Sequence, residues 1–122
     1  MPDSEGHPDF DELELGAVLT ALADPIRRQV VAVLAGEPDG TERPCSSFGL
    51  PLTKSTLTYH FRLLRESGLV RQVNRGNSRM AQLRRADLEA RFPGLLALVV
   101  AETQQAGKGA PSVAGNTARA PH

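Results

Sequence analysis

The chain has 122 residues, is 40% hydrophobic and 23% charged, and balances 14 basic against 14 acidic residues for a formal net charge of zero. That length argues for one domain with a modest core, and four Phe, one Tyr and no Trp favour helices packed through Leu, Val and Ala over a β-sandwich. The single cysteine, Cys45, excludes an internal disulfide and any Cys-pair zinc motif within one chain, and no apolar run is long enough to form a membrane span.

The opening MPDSEGHPDF has no basic region followed by an apolar stretch, so a cytoplasmic protein with no membrane partner is expected. Residues 1–12 are polar, acidic and contain two prolines, which predicts a flexible acidic arm. From Leu13 the apolar residues Leu15, Val18, Leu19 and Leu22 follow a helical period that ends near Ala23. Asp24-Pro25 is a helix-start signal, and a second helix runs to about Ala35, burying Ile26, Val30, Val33 and Leu34 before Gly36. Residues 37–52 are dense in Pro, Gly and Ser and predict only a turn or short helix near Cys45–Phe48.

A third helix opens after Thr53, a plausible N-cap, carries the apolar stripe Leu57, Phe61 and Leu64, and stops at Gly68. Leu69–Asn74 and Ser78–Leu83 flank Arg75-Gly76-Asn77 as the two arms of a hairpin. Asp87 is expected to cap a helix from Leu88 to about Phe92, and Pro93-Gly94 separates it from a last apolar helix, Leu95 to about Glu102. Residues 103–122 lack apolar periodicity and predict a disordered tail. The fold class is therefore mostly helical α+β, with residues 13–102 forming one domain and a two-stranded hairpin packed against the helix before it.

A zero total charge hides an uneven distribution. Residues 1–24 hold seven acids and no Lys or Arg, whereas residues 53–85 hold eight bases and the single acid Glu66. The third helix directs Lys54, Ser55, Thr56, Thr58, Tyr59, His60, Arg62 and Arg65 away from its main apolar stripe. Short hydroxyl side chains allow close approach to base edges, while Lys and Arg reach phosphates or guanine. Arg71, Arg75, Asn77 and Arg79 lie on or beside the hairpin that follows. A solvated helix or a basic hairpin tip alone would show either feature. Helix and hairpin together point to double-stranded DNA.

Three runs resemble the arsenical-repressor (ArsR/SmtB) family of winged helix-turn-helix transcriptional regulators. ALADPIRRQVVAVL (21–34) resembles the family's second helix, KSTLTYHFRLLRESGLV (54–70) its recognition helix and following strand, and NRGNSRMAQL (74–83) its wing. The resemblance implies a homodimer built through the first and last helices, with each recognition helix in one half-site of an inverted-repeat operator and repression by operator occupancy. Leu13, Leu15, Leu19, Leu88, Leu95, Leu96 and Val99 exceed what one small core needs and are assigned to that interface.

The family's metal-sensing ligand sets, a Cys-x-Cys pair or Asp, His and Glu along the last helix, are absent. No metal site and no cofactor are therefore expected, although an intersubunit site using the tail residues His7 and His122 with acids stays open. Cys45 is read as an inert thiol, with a sensing role as its alternative. No glycine-rich phosphate loop, His-Glu metal pair or nucleophile elbow is present, so no enzyme is expected. The rival reading is a winged-helix module that binds protein or RNA; more exposed aromatic and aliphatic residues would mark a protein-binding surface.

Overall fold

Capping side chains fix where two of the helices begin. The structure, a computed structural model, describes residues 3–112. Helix α1 spans Leu15–Leu22. Helix α2, Pro25–Ala35, starts where Asp24 Oδ2 accepts from the backbone N–H groups of Ile26 at 2.9 Å and Arg27 at 3.1 Å. Helix α3, Lys54–Ser67, starts at Thr53, whose Oγ1 accepts from Thr56 N–H at 3.2 Å. Helices α4, Arg85–Arg91, and α5, Leu95–Ser112, follow, and single 3-10 turns occupy Phe10–Glu12 and Cys45–Phe48. Asp87 does not cap α4. It takes the guanidinium of Arg84, the residue at the cap position, at 2.9 Å.

The sheet has three antiparallel strands rather than the two expected. β1 is Glu42–Pro44, β2 Val70–Arg75 and β3 Ser78–Leu83, in the order β1-β3-β2. β2 and β3 pair from Val70↔Leu83 to Arg75↔Ser78, which leaves Gly76-Asn77 as a two-residue turn with Gly76 at φ +65°. β1 was hidden because three residues are too few to show alternation, and its Pro44 is tolerated only because the strand lies at the edge.

The core joins Val18 and Leu22 of α1, Val30, Val31 and Leu34 of α2, and Phe61 and Leu64 of α3 to Leu69, Val70 and Ala81 around the sheet. Leu88 of α4 and Leu96 and Val99 of α5 complete it. This corrects the expected dimer surface. Leu88, Leu96 and Val99 fill the protomer's own interior, and Leu13, 1% exposed, packs on Gly68. Leu95 is half-buried, so only Leu15 and Leu19 of that set are exposed. Leu98, 65% exposed, joins them from α5 and was not anticipated.

Both ends depart from expectation. The N-terminal segment lies on the domain: His7 is buried, Arg84 Nη1 donates to the Pro8 carbonyl at 2.7 Å, and Arg91 donates to the Leu13 carbonyl. Its acidity suggested a solvated arm because the arginines that receive it are distant in sequence. At the other end α5 continues to Ser112, past the start of the expected tail at residue 103; residues 113–122, with His122, lie outside the described residues.

Gly68 links these parts. Its φ is +90°, and a Cβ there would stand 2.1 Å from Leu13 Cδ2. Gly68→Ala is expected to cost roughly 2–4 kcal/mol from backbone strain and overpacking together, measured by urea unfolding. A loss within about 0.5 kcal/mol of zero would contradict the packing of Leu13 there.

Candidate nucleic-acid interface

Ser55, Thr58, Tyr59 and Arg62 follow the i, i+3, i+4, i+7 spacing of one helix face, and all four are exposed, with Lys54 at the head of the helix. The Arg62 guanidinium lies 5.4 Å from the Tyr59 ring centroid, a cation–π contact that pre-orders the arginine on the outer surface. Thr56 is exposed but tied into the cap, where its Oγ1 accepts from Thr53 Oγ1 at 2.9 Å.

His60 is not on this surface. It is buried, and its Nδ1 accepts from Arg27 Nη1 at 3.0 Å, with Asp24 Oδ2 at 3.9 Å. Arg27 is itself buried and donates from Nε to the Ala21 carbonyl at 2.7 Å. Three consecutive helices are thereby tied at one point: the end of α1, the first turn of α2 and the middle of α3. A hydrophobic pattern cannot reveal this, because Arg27 reads as a solvated position on an amphipathic helix. The buried face of α2 is accordingly Arg27, Val30, Val31 and Leu34, with Ile26 and Val33 only half-buried.

The cations of residues 53–85 divide into two groups. Arg84 binds Asp87 and the Pro8 carbonyl, and Arg85 Nη2 donates to the Ala35 and Glu37 carbonyls at 3.2 and 2.9 Å, closing the end of α2. Arg75 makes a two-point pair with Glu42 at 3.0 and 2.7 Å, and this pair holds the Glu42 carboxyl below its ordinary pKa. Arg79 pairs with Glu5 at 2.7 Å and Asn74 at 3.1 Å, while Arg65 donates to the Glu5 carbonyl and to Gln72 Oε1. Among the described residues, the side chains of Lys54, Arg62 and Arg71 have no hydrogen-bond or ion-pair partner. Asn77 is exposed at the wing tip and Arg71 half-buried on β2.

His7 and Cys45 lie behind the wing strands. His7 Nε2 accepts from the Gln72 backbone N–H at 3.0 Å, and its Nδ1 bonds Asp3 Oδ2 at 2.8 Å. Backbone N–H donation from His7, followed by that from Glu5, pulls the Asp3 carboxyl down to about 2. Gln72 Nε2 donates to Cys45 Sγ at 3.4 Å, and burial pushes the Cys45 thiol above its ordinary value, which suppresses the reactive thiolate. Among the described residues no three His, Cys, Asp or Glu side chains form a group able to hold a metal ion. No described helix is long and apolar enough to cross a membrane.

No protein-family model matches the chain, and no curated protein matches it. Among solved structures, an ArsR family transcriptional regulator superposes with a TM-score of 0.54 at 23% identity, over 78% of this chain and 97% of that one. An ArsR-like transcriptional regulator from Rhodococcus sp. RHA1 superposes with a TM-score of 0.52 at 23% identity, over 85% and 94%. The chain has the ArsR winged-helix fold. Within that fold the Cys45–Phe48 helical turn and α3, separated only by residues 49–53, form the helix-turn-helix, and β2 and β3 form the wing. The ArsR-type arrangement places the exposed stripe of α3 and the Gly76-Asn77 tip on neighbouring elements, since β2 begins where α3 ends.

Proposed function

We propose that this chain is a sequence-specific DNA-binding transcriptional regulator, a repressor that occupies an inverted-repeat operator as a homodimer in the cytoplasm. The observation that carries the reading is the stripe Ser55, Thr58, Tyr59 and Arg62, exposed on α3 beside a basic wing. Hydroxyl groups and a pre-ordered guanidinium are suited to base edges and phosphates in a major groove, and Lys54 at the head of α3 adds a mobile cation. Asn77 and Arg71 extend the contact along the wing. The role is recognition rather than catalysis, and neither a metal nor a cofactor enters it.

Exposed leucines support the dimer. Leu15 and Leu19 on α1 and Leu98 on α5 are large apolar side chains on the first and last helices, and a second copy would remove them from water. The two-fold symmetry of such a pair matches half-sites about one helical turn apart, or a multiple of that.

Duplexes selected from a random library by the purified protein test the DNA reading. Arg62→Ala is expected to weaken binding to the selected duplex by about 1–3 kcal/mol, and to lower the salt slope by about one if the lost contact is to phosphate. Unchanged affinity would remove α3 from the interface. Sedimentation should show a dimer at micromolar concentration that Leu19→Glu or Leu98→Glu converts to monomer. A monomeric parent protein would contradict the pairing.

A further inference from the structure

The N-terminal segment sits on Arg65 and Arg79, two cations that the sequence places on the DNA-contacting helix and wing. Glu5 accepts from Arg79 Nη2 at 2.7 Å through its carboxylate and from Arg65 Nε at 2.6 Å through its carbonyl. Arg79 holds the Glu5 carboxyl below its ordinary pKa, as expected for an anion engaged by a guanidinium. The segment passes close to α3, where a Cβ on Gly6 would lie 3.5 Å from Glu66 Cγ.

We propose that the acidic N-terminal segment is an internal competitor of DNA, with Glu5 standing where a backbone phosphate would be bound by Arg79 and Arg65. The inference rests on the DNA-binding reading above.

The attachment of the segment is graded along its length. Pro8 and Leu13 are held by Arg84 and Arg91, and the Arg84 side chain is almost wholly buried, so this part stays with the core. Residues 3–7 depend on weaker bonds. The Glu5–Arg79 pair is solvent-exposed, with side chains 47% and 31% accessible, so salt screens it and its contribution is small. The remaining latches are the Arg65 bond to the Glu5 carbonyl and one imidazole on one backbone amide, His7 on Gln72, with Asp3 holding the other ring nitrogen. A duplex presents a dense row of phosphates, and its counterion release favours exchange of Glu5 for phosphate. Opening is then local: residues 3–7 leave and the domain remains folded.

A brace that merely positions the wing predicts the opposite sign. If the segment competes, loosening it strengthens DNA binding; if it braces, loosening it weakens binding. The test uses the full chain and a random-sequence duplex of about 30 base pairs at low salt, where non-specific phosphate contacts dominate. Glu5→Gln and His7→Ala are each expected to raise affinity by about two- to fivefold, the scale of an exposed ion pair. Asp11→Asn makes the same charge change away from these arginines and is expected to leave affinity unchanged. The gain from Glu5→Gln should vanish when Arg79→Ala is combined with it.

Equal or weaker binding by Glu5→Gln overturns the proposal, as does an equal gain from Asp11→Asn. Glu5 is exposed, so Glu5→Gln decides the matter even if His7→Ala fails to fold. Parent protein that binds the duplex, with variants that do not differ from it, removes the competitor alone. Failure of every form to bind removes the DNA reading and the competitor together.

Discussion

The outward face of α3 depends on a guanidinium buried on the helix's other side. Arg27 is buried at the junction of α1, α2 and α3, where it bonds the Ala21 carbonyl and the His60 ring. Burying a cation is unfavourable unless its donors are satisfied, and a satisfied one fixes geometry more sharply than apolar contacts do. Asp24 completes the arrangement by capping the turn of α2 from which Arg27 projects. With α3 pinned through His60 on one side, its opposite side is free to carry Ser55, Thr58, Tyr59 and Arg62 outward.

Arginines in this chain divide between those that tie segments together and those left free on the surface. Arg84, Arg85 and Arg91 join segments through backbone carbonyls, which lets a small domain with few aromatics hold its N-terminal segment and the end of α2 in place. Arg75 ties the wing to β1 through Glu42. A count of basic residues therefore overstates the free positive surface. Within residues 53–85 that surface narrows to Lys54, Arg62 and Arg71, with Arg65 and Arg79 held by the acidic segment and Gln72.

Much of the fold was legible because its signals are local. Asp24-Pro25, Thr53, Gly68 and Gly76-Asn77 act within a few residues of themselves, and the helices and hairpin they bound appear where the sequence implies. The exposed stripe of α3 followed from helical spacing in the same way. What escaped depends on long-range pairing. β1 exists only through β3, His7 is buried only because Gln72 receives it, and His60 turns inward only because Arg27 is there. The leucines expected at a dimer surface divide for a related reason: spare leucines can be counted from sequence, but which of them the protomer uses cannot. Leu88, Leu96 and Val99 went to the core, and Leu98 was left outside.

The central claim is that α3 and the wing tip form one DNA-binding face. Backbone amide chemical shifts, followed as a selected duplex is titrated into labelled protein, test it most directly. The account predicts the largest changes at residues 54–62 and at Gly76 and Asn77, with α4 little affected. Changes centred on α4 or on the outward side of β1, with α3 unperturbed, would contradict it.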